Sequence, residues 1–201
     1  MAFSTASLPC LARPAISSRQ MPGTHVVLLR GINVGRAKRI SMAELRTFVE
    51  SLGYTDVRTL LNSGNVVLTR RGKGPRDPGP AIEKGLADSV GVSARVVALT
   101  AAELAAVVAE NSLLDVAVDP ARLLVAVLLD AADRAKVVPL TKKEWGDEAL
   151  ALGTHAAYIW CANGILESKI LGTLDKALGG GITSRNWSTV TKLLALVDSP
   201  G

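Results

Sequence analysis

The sequence predicts an α+β protein made of two tandem ferredoxin-like α/β plaits, each βαββαβ, followed by a C-terminal helix. Three observations carry that prediction. Short apolar runs alternate with segments of helical periodicity. The order strand, helix, strand, strand, helix, strand occurs twice. The 201 residues, 48% hydrophobic and 20% charged, suit a globular protein that buries its own core without disulfide or metal staples.

The first plait begins with VVLLR at residues 26–30, a short apolar run read as a buried strand. Ser41 and Glu44 have the spacing of a capping box, and Met42, Leu45, Phe48, Val49 and Leu52 recur at helical intervals before Gly53 stops the helix. VRTLLNSGNVVLT, residues 57–69, reads as two strands around a tight turn at Asn62–Asn65. After the Gly- and Pro-rich loop 71–80, Ile82, Leu86 and Val90 mark a helix, and ARVVAL at 94–99 a strand. Thr100 and Glu103 repeat the capping-box spacing and open a connecting helix over about 101–110.

The second plait begins with RLLVAVLLD at 122–130, a strand, and a short helix at about 131–137. Candidate strands follow at 148–152 and 156–161, then a helix carrying Ile170, Leu171, Leu174 and Leu178, and a short strand at GITS. The last helix runs from Trp187 to Val197, with Trp187, Val190, Leu193, Leu194 and Val197 on one face, and is expected to pack on the second sheet. The expected divisions are a disordered extension over 1–20, a first domain over 21–110 with its connecting helix, and a second domain over 111–201.

The extension, MAFSTASLPCLARPAISSRQ, carries Ser, Ala, Pro and Arg and no acid. It reads either as a transit-like tail or as an extended start with Met21 as initiator. Both readings leave it without structure.

Composition removes several function classes. Seven aromatic residues in all (three Trp, two Tyr, two Phe) make the core aliphatic. The net charge of +5 permits an acidic or phosphate-bearing partner without requiring one. Cys10 and Cys161 form no CxxC, and His25 and His155 no metal-ligand spacing, so no metal site is expected. No apolar run reaches the roughly 18 residues of a membrane span, and a cytoplasmic location is expected. RNA-recognition plaits stack bases on aromatic side chains of their central strands. VVLLR, NVVLT and RLLVAVLLD contain none, which argues against sequence-specific nucleic-acid binding. No Ser–His–Asp or Cys–His set and no acidic cluster for phosphoryl chemistry stands out, so whether the chain is an enzyme stays open.

Two motifs remain. RGINVGRAKR, residues 30–39, joins a strand end to a helix start. Gly31 and Gly35 could turn backbone N–H groups inward as an anion nest, with Arg30, Lys38 and Arg39 adding charge and Asn33 orienting a ligand. It is neither GxxxxGK[ST] nor GxGxxG, and no cofactor follows from it. The plainer reading is a turn whose glycines need positive φ. Asn65, in Ser63-Gly64-Asn65, could face this loop or simply close a hairpin. TSRNWSTVTK, residues 183–192, is the second motif. Arg185 could grip a carboxylate or phosphate with both prongs. Asn186 or Ser188 could cap the last helix, and Trp187 could anchor it. Ser168–Lys169 reads as a polar helix start, because adjacent helical residues diverge too far for a nucleophile–base pair.

LLRGINVG at 28–35, MAEL at 42–45, LGYTDVRT at 52–59, SGNVV at 63–67 and TSRNWSTVTKL at 183–193 together resemble the bacterial domain-of-unknown-function 1697 family. The resemblance runs from residue 25 to 197 and implies tandem α/β plaits. It lends no activity. The chain departs from the family pattern at NSLL, 111–114, where relatives tend to have Asn-Pro-Phe, and at Ser184, where a second Thr is common. The expected function is a binding module for a small anionic or phosphate-containing ligand through Arg30, Gly31, Asn33, Gly35, Lys38, Asn65, Arg185 and Asn186. The competing expectation is a structural or oligomeric interaction protein in which those residues are turns and caps. The sequence leaves the oligomeric state open.

Overall fold

The computed structural model describes residues 11–14, 23–33, 39–72, 77–179 and 182–199. The chain is a mixed α+β protein with two four-stranded antiparallel sheets and, among the described residues, six α-helices. It divides into two compact units, Ile16–Ala106 with Thr191–Gly201, and Met1–Ala15 with Val107–Val190.

The first unit carries β1 (Thr24–Arg30), α1 (Met42–Ser51), β2 (Tyr54–Leu60), β3 (Asn65–Arg70), α2 (Gly79–Gly85) and β4 (Arg95–Thr100), with sheet order β2-β3-β1-β4. Val27 and Leu29 of β1, with Val66 and Leu68 of β3, form a core with Leu45 and Val49 of α1 and Ile82 and Leu86 on and after α2. The opposite face is buried too, through Val26, Leu28, Val67, Val97 and Leu99. Burial of both faces is why β1 reads as an unbroken apolar run rather than an alternating one. Two carboxylates cap backbone donors of the edge strand β4. Val96 N–H donates to Glu83 Oε2 at 2.9 Å, and Thr100 N–H to Glu103 Oε2 at 2.7 Å. β2 is interrupted by a bulge between Thr55 and Arg58, with Asp56 at φ 52°.

The helix read at Ile82, Leu86 and Val90 changes pitch. Beyond α2 it continues as a π-turn over Leu86–Val90 and ends at Gly91 with φ 68°. The wider turn lets Val92 N–H reach back to the Leu86 carbonyl at 3.0 Å. Next, α3 (Ala101–Ala109) opens on the Thr100–Glu103 capping box, as its spacing predicts.

The second unit carries β5 (Leu123–Leu128), α4 (Arg134–Val137), β6 (Ala149–Leu152), β7 (Ala156–Trp160), α5 (Lys169–Ala177) and β8 (Ile182–Asn186), with sheet order β6-β7-β5-β8. Instead of one regular helix, α4 lies between two 3-10 turns, Ala131–Asp133 and Val138–Lys142. Leu124, Ala126, Ile159, Ile170 and Leu174 share a core. On the other face, Val125 stands in register with Tyr158 and Arg185. The Tyr158 hydroxyl donates to the Val107 carbonyl at 2.7 Å, fixing the end of α3 there.

The last helix, α6 (Trp187–Asp198), follows β8 without a loop. Like α3, it begins in one unit and ends in the other. Its C-terminal part belongs to the first unit, where Arg58 of β2 donates to the Ser199 carbonyl at 3.1 Å. Within the extension expected to be disordered, residues 11–14 are described and bonded: Leu11 N–H donates to the Leu114 carbonyl at 3.1 Å. The rest of that expectation lies outside the described residues.

Candidate functional site

The first unit places RGIN and SGN against one another. The chain leaves β1 at Arg30 and turns at Gly31, φ 84°, where a Cβ would meet nothing within 4 Å. Gly31 therefore serves the backbone angle and not a close approach. Two residues on, Asn33 also takes a left-handed backbone, φ 57°. Its side chain imitates a peptide group. Nδ2 donates to the Ile40 carbonyl at 2.9 Å, while Oδ1 accepts from Ile40 N–H at 2.9 Å. Nδ2 donates again to the Asn62 carbonyl, on the β2–β3 turn, at 3.3 Å. One side chain thus closes the loop on itself and ties it to the hairpin.

Gly64 completes the junction. Its carbonyl accepts from Leu29 N–H at 2.8 Å. Asn65 is fully buried, and its Nδ2 donates to the Leu60 carbonyl at 2.8 Å and to Ser63 Oγ at 3.0 Å, so it braces the turn from inside. A cleft of about 480 Å³ opens beside this junction, lined by Asn33, Arg39, Ile40, Ser41, Met42 and Asn62. The start of α1 forms one wall. Ser41 Oγ accepts from Glu44 N–H at 3.2 Å, and Ser41 N–H donates to Glu44 Oε2 at 2.8 Å. One terminal donor therefore already has an acidic partner.

Arg30 is half-buried at the end of β1, in register with Arg95 of β4. Gly35 and Lys38 lie outside the described residues. Arg39, read in the sequence only as added charge, is exposed and lines the cleft. Its neighbours there, Asn62 and Met42, carry no ligand signal in the two sequence motifs. Asn62 could have been suspected from its place in the turn next to Gly64. Nothing in the sequence signalled Met42 beyond its place on the α1 face.

Arg185 and Asn186 belong to the other unit. β8 runs through both because Arg185 and Asn186 pair in register with Val125 and Leu124. Burial pushes the Arg185 guanidinium down to about 10, still high enough to stay charged at neutral pH. It donates to the Ser184 carbonyl at 2.8 Å. Asn186 caps α6: its Oδ1 accepts from Thr189 N–H at 2.9 Å and from the Thr189 hydroxyl at 2.7 Å. Trp187 is buried, as expected of an anchor.

Ser168 is a helix cap, accepting from Leu171 N–H at 3.2 Å. Glu148 Oε2 accepts from Lys169 N–H and Ile170 N–H, at 3.1 and 3.3 Å, and so occupies that helix start with the protein's own carboxylate. Burial pushes the neighbouring Cys161 thiol up, away from the reactive thiolate. Among the described residues, no three His, Cys, Asp or Glu side chains are grouped to hold a metal, and no helix is long and apolar enough to cross a membrane.

The family model described as protein of unknown function, DUF1697, matches residues 23–158, well over half of the chain. The chain belongs to the DUF1697 family. The matched range takes in LLRGINVG and SGNVV and stops short of TSRNWSTVTKL. This DUF1697 chain is similar in fold to a solved structure, the conserved bacterial protein SP0830 from Streptococcus pneumoniae. Identity is 22%, coverage is 87% of this chain and 98% of that one, and the TM-score is 0.66. The search of curated proteins found no match.

Proposed function

We propose that this DUF1697 protein is a cytoplasmic binding module for a small anionic or phosphate-containing ligand, built on two ferredoxin-like α/β plaits in domains 21–110 and 111–201. The strand orders β2-β3-β1-β4 and β6-β7-β5-β8 support the plait reading, since each reads 4-1-3-2 in its own half. The observation that carries the ligand reading is the cleft where Arg39 and the start of α1 meet the junction that Asn33 ties to Ile40 and Asn62. Arg30, Lys38 and Arg39 are the cations proposed to meet the anion, and Gly31 and Gly35 the backbone donors. Asn33 and Asn65 shape the site rather than touch the ligand. Arg185, with Asn186 holding the helix beside it, is proposed as a second anion contact and is tested by itself.

Calorimetric titration with inorganic phosphate and with nucleoside phosphates, each at low and high salt, tests this reading. A nucleoside phosphate should bind in preference to phosphate, survive high salt, and weaken at least about tenfold in Arg39→Ala, the loss of one charge-assisted contact. A flat titration would reject it. The reading of these motifs as structural draws on a different observation, that the Asn33, Asn65 and Asn186 side chains are all engaged within the fold. In that case Arg30→Ala and Arg185→Ala lower the melting temperature and no ligand raises it.

A further inference from the structure

The last turn of α3 has no basic residue of its own, yet the terminal carbonyls of a helix need donors. Arg13 supplies one from far upstream. Its guanidinium donates to the Ala109 carbonyl and, through Nη2 at 3.0 Å, to the Asn111 carbonyl. Two residues earlier the main chain joins in, with Leu11 N–H on the Leu114 carbonyl at 3.1 Å. Leu11 and Pro14 are half-buried against the protein, while Ala12 is exposed.

Beneath this segment lies Asn111, 1% exposed. Its Oδ1 accepts from Leu113 N–H at 3.0 Å, and its Nδ2 is buried without a partner among the described residues. The helix end and the residues after it thus present three carbonyls, at Ala109, Asn111 and Leu114. That arrangement complements an extended peptide: a backbone N–H sets the register, and a forked guanidinium spans two carbonyls in a way a lysine ammonium does not.

We propose that the C-terminal end of α3 and residues 109–114 form a docking site for an extended, arginine-bearing peptide segment, occupied in this chain by its own Leu11–Pro14. Covalent attachment gives that segment an effective concentration on the order of millimolar, so it excludes the same peptide arriving from solution. Weakening the tethered segment opens the site.

The test uses the full-length chain and a fluorescent peptide of residues 8–16, followed by anisotropy. The Arg13→Ala chain should bind the peptide about tenfold or more tightly than the wild-type chain does, because its own segment competes less. A peptide carrying Arg13→Ala should bind neither. Equal binding to both chains, no binding to the variant chain, or indifference to the arginine in the peptide would overturn the proposal. Hydrogen exchange on the wild-type chain gives a readout free of any folding defect in the variant. The Leu11 amide should exchange at least about tenfold more slowly than in an unstructured peptide, since opening the site must precede exchange. Exchange at the unstructured rate also overturns the proposal.

Discussion

Gly64 lies so close to Ile32 that a Cβ on the glycine would stand 2.6 Å from the isoleucine Cδ1, and 2.8 Å from Leu29 Cβ. The backbone there also has φ +72°, so Gly64→Ala meets two penalties. A left-handed angle costs a non-glycine residue about 1–2 kcal/mol, and overpacking adds about 1–3 kcal/mol. Urea denaturation should show a loss of about 2–5 kcal/mol. A neutral result would mean that RGIN and SGN do not pack as described.

Asn33 separates two effects that usually come together. Asn33→Gly keeps the φ 57° backbone and deletes the bonds to Ile40 and Asn62. It should cost about 1–2 kcal/mol. Asn33→Ala deletes the same bonds and adds the left-handed penalty, for about 1 kcal/mol more. Equal stabilities for the two variants would remove the backbone from the account.

Tyr158 couples the second sheet to α3 through a fully buried hydroxyl. Tyr158→Phe leaves the Val107 carbonyl without that donor and should cost about 1–1.5 kcal/mol. Burial, with a smaller contribution from Glu110, also raises the Tyr158 phenol above its ordinary range, and burial raises Tyr54 as well. A spectrophotometric titration of the native protein should therefore show tyrosinate appearing later than in an exposed tyrosine, near pH 10. A normal titration for both residues would contradict the burial.

Glu110 makes stability depend on acid. Its Oε2 accepts from Thr154 N–H at 2.5 Å and its Oε1 from the Thr154 hydroxyl at 2.9 Å. The backbone bond is the largest cause holding this carboxyl below its ordinary range. A carboxyl depressed in the folded state contributes stability above its unfolded pKa and loses it as pH falls through the folded one. The wild-type melting temperature should fall as pH drops below the ordinary carboxylate range, and Glu110→Gln should flatten that part of the curve. Parallel curves would show that Glu110 does not contribute to it.

Local chemistry made much of the fold legible in the sequence. The Ser41–Glu44 and Thr100–Glu103 capping boxes form where their spacing places them, and Asn186 caps α6. The hairpin turn falls at Leu61–Gly64, one residue earlier than the Asn62–Asn65 that its Asn and Gly mark. What escaped the sequence depends on distant partners. Asn33 looked like a ligand contact because its bonds to Ile40 and Asn62 exist only once the loop and hairpin meet. Arg13 and Arg58 carry no motif in the sequence, yet each reaches the end of a helix that has no basic residue in its last turn. No periodicity records such a contact. The candidate site was legible as two motifs but not as a cleft, since Arg39 and Asn62 come together only through tertiary packing.

The capped edge of β4 bears on how these molecules behave in a crowd. A sheet recruits foreign strands by presenting unpaired donors and acceptors, and an unprotected edge becomes a template for polymerisation. At β4 two of those donors are already held by Glu83 and Glu103. A foreign strand arriving there would have to evict both carboxylates before it could zip on, which favours keeping concentrated molecules apart along that side.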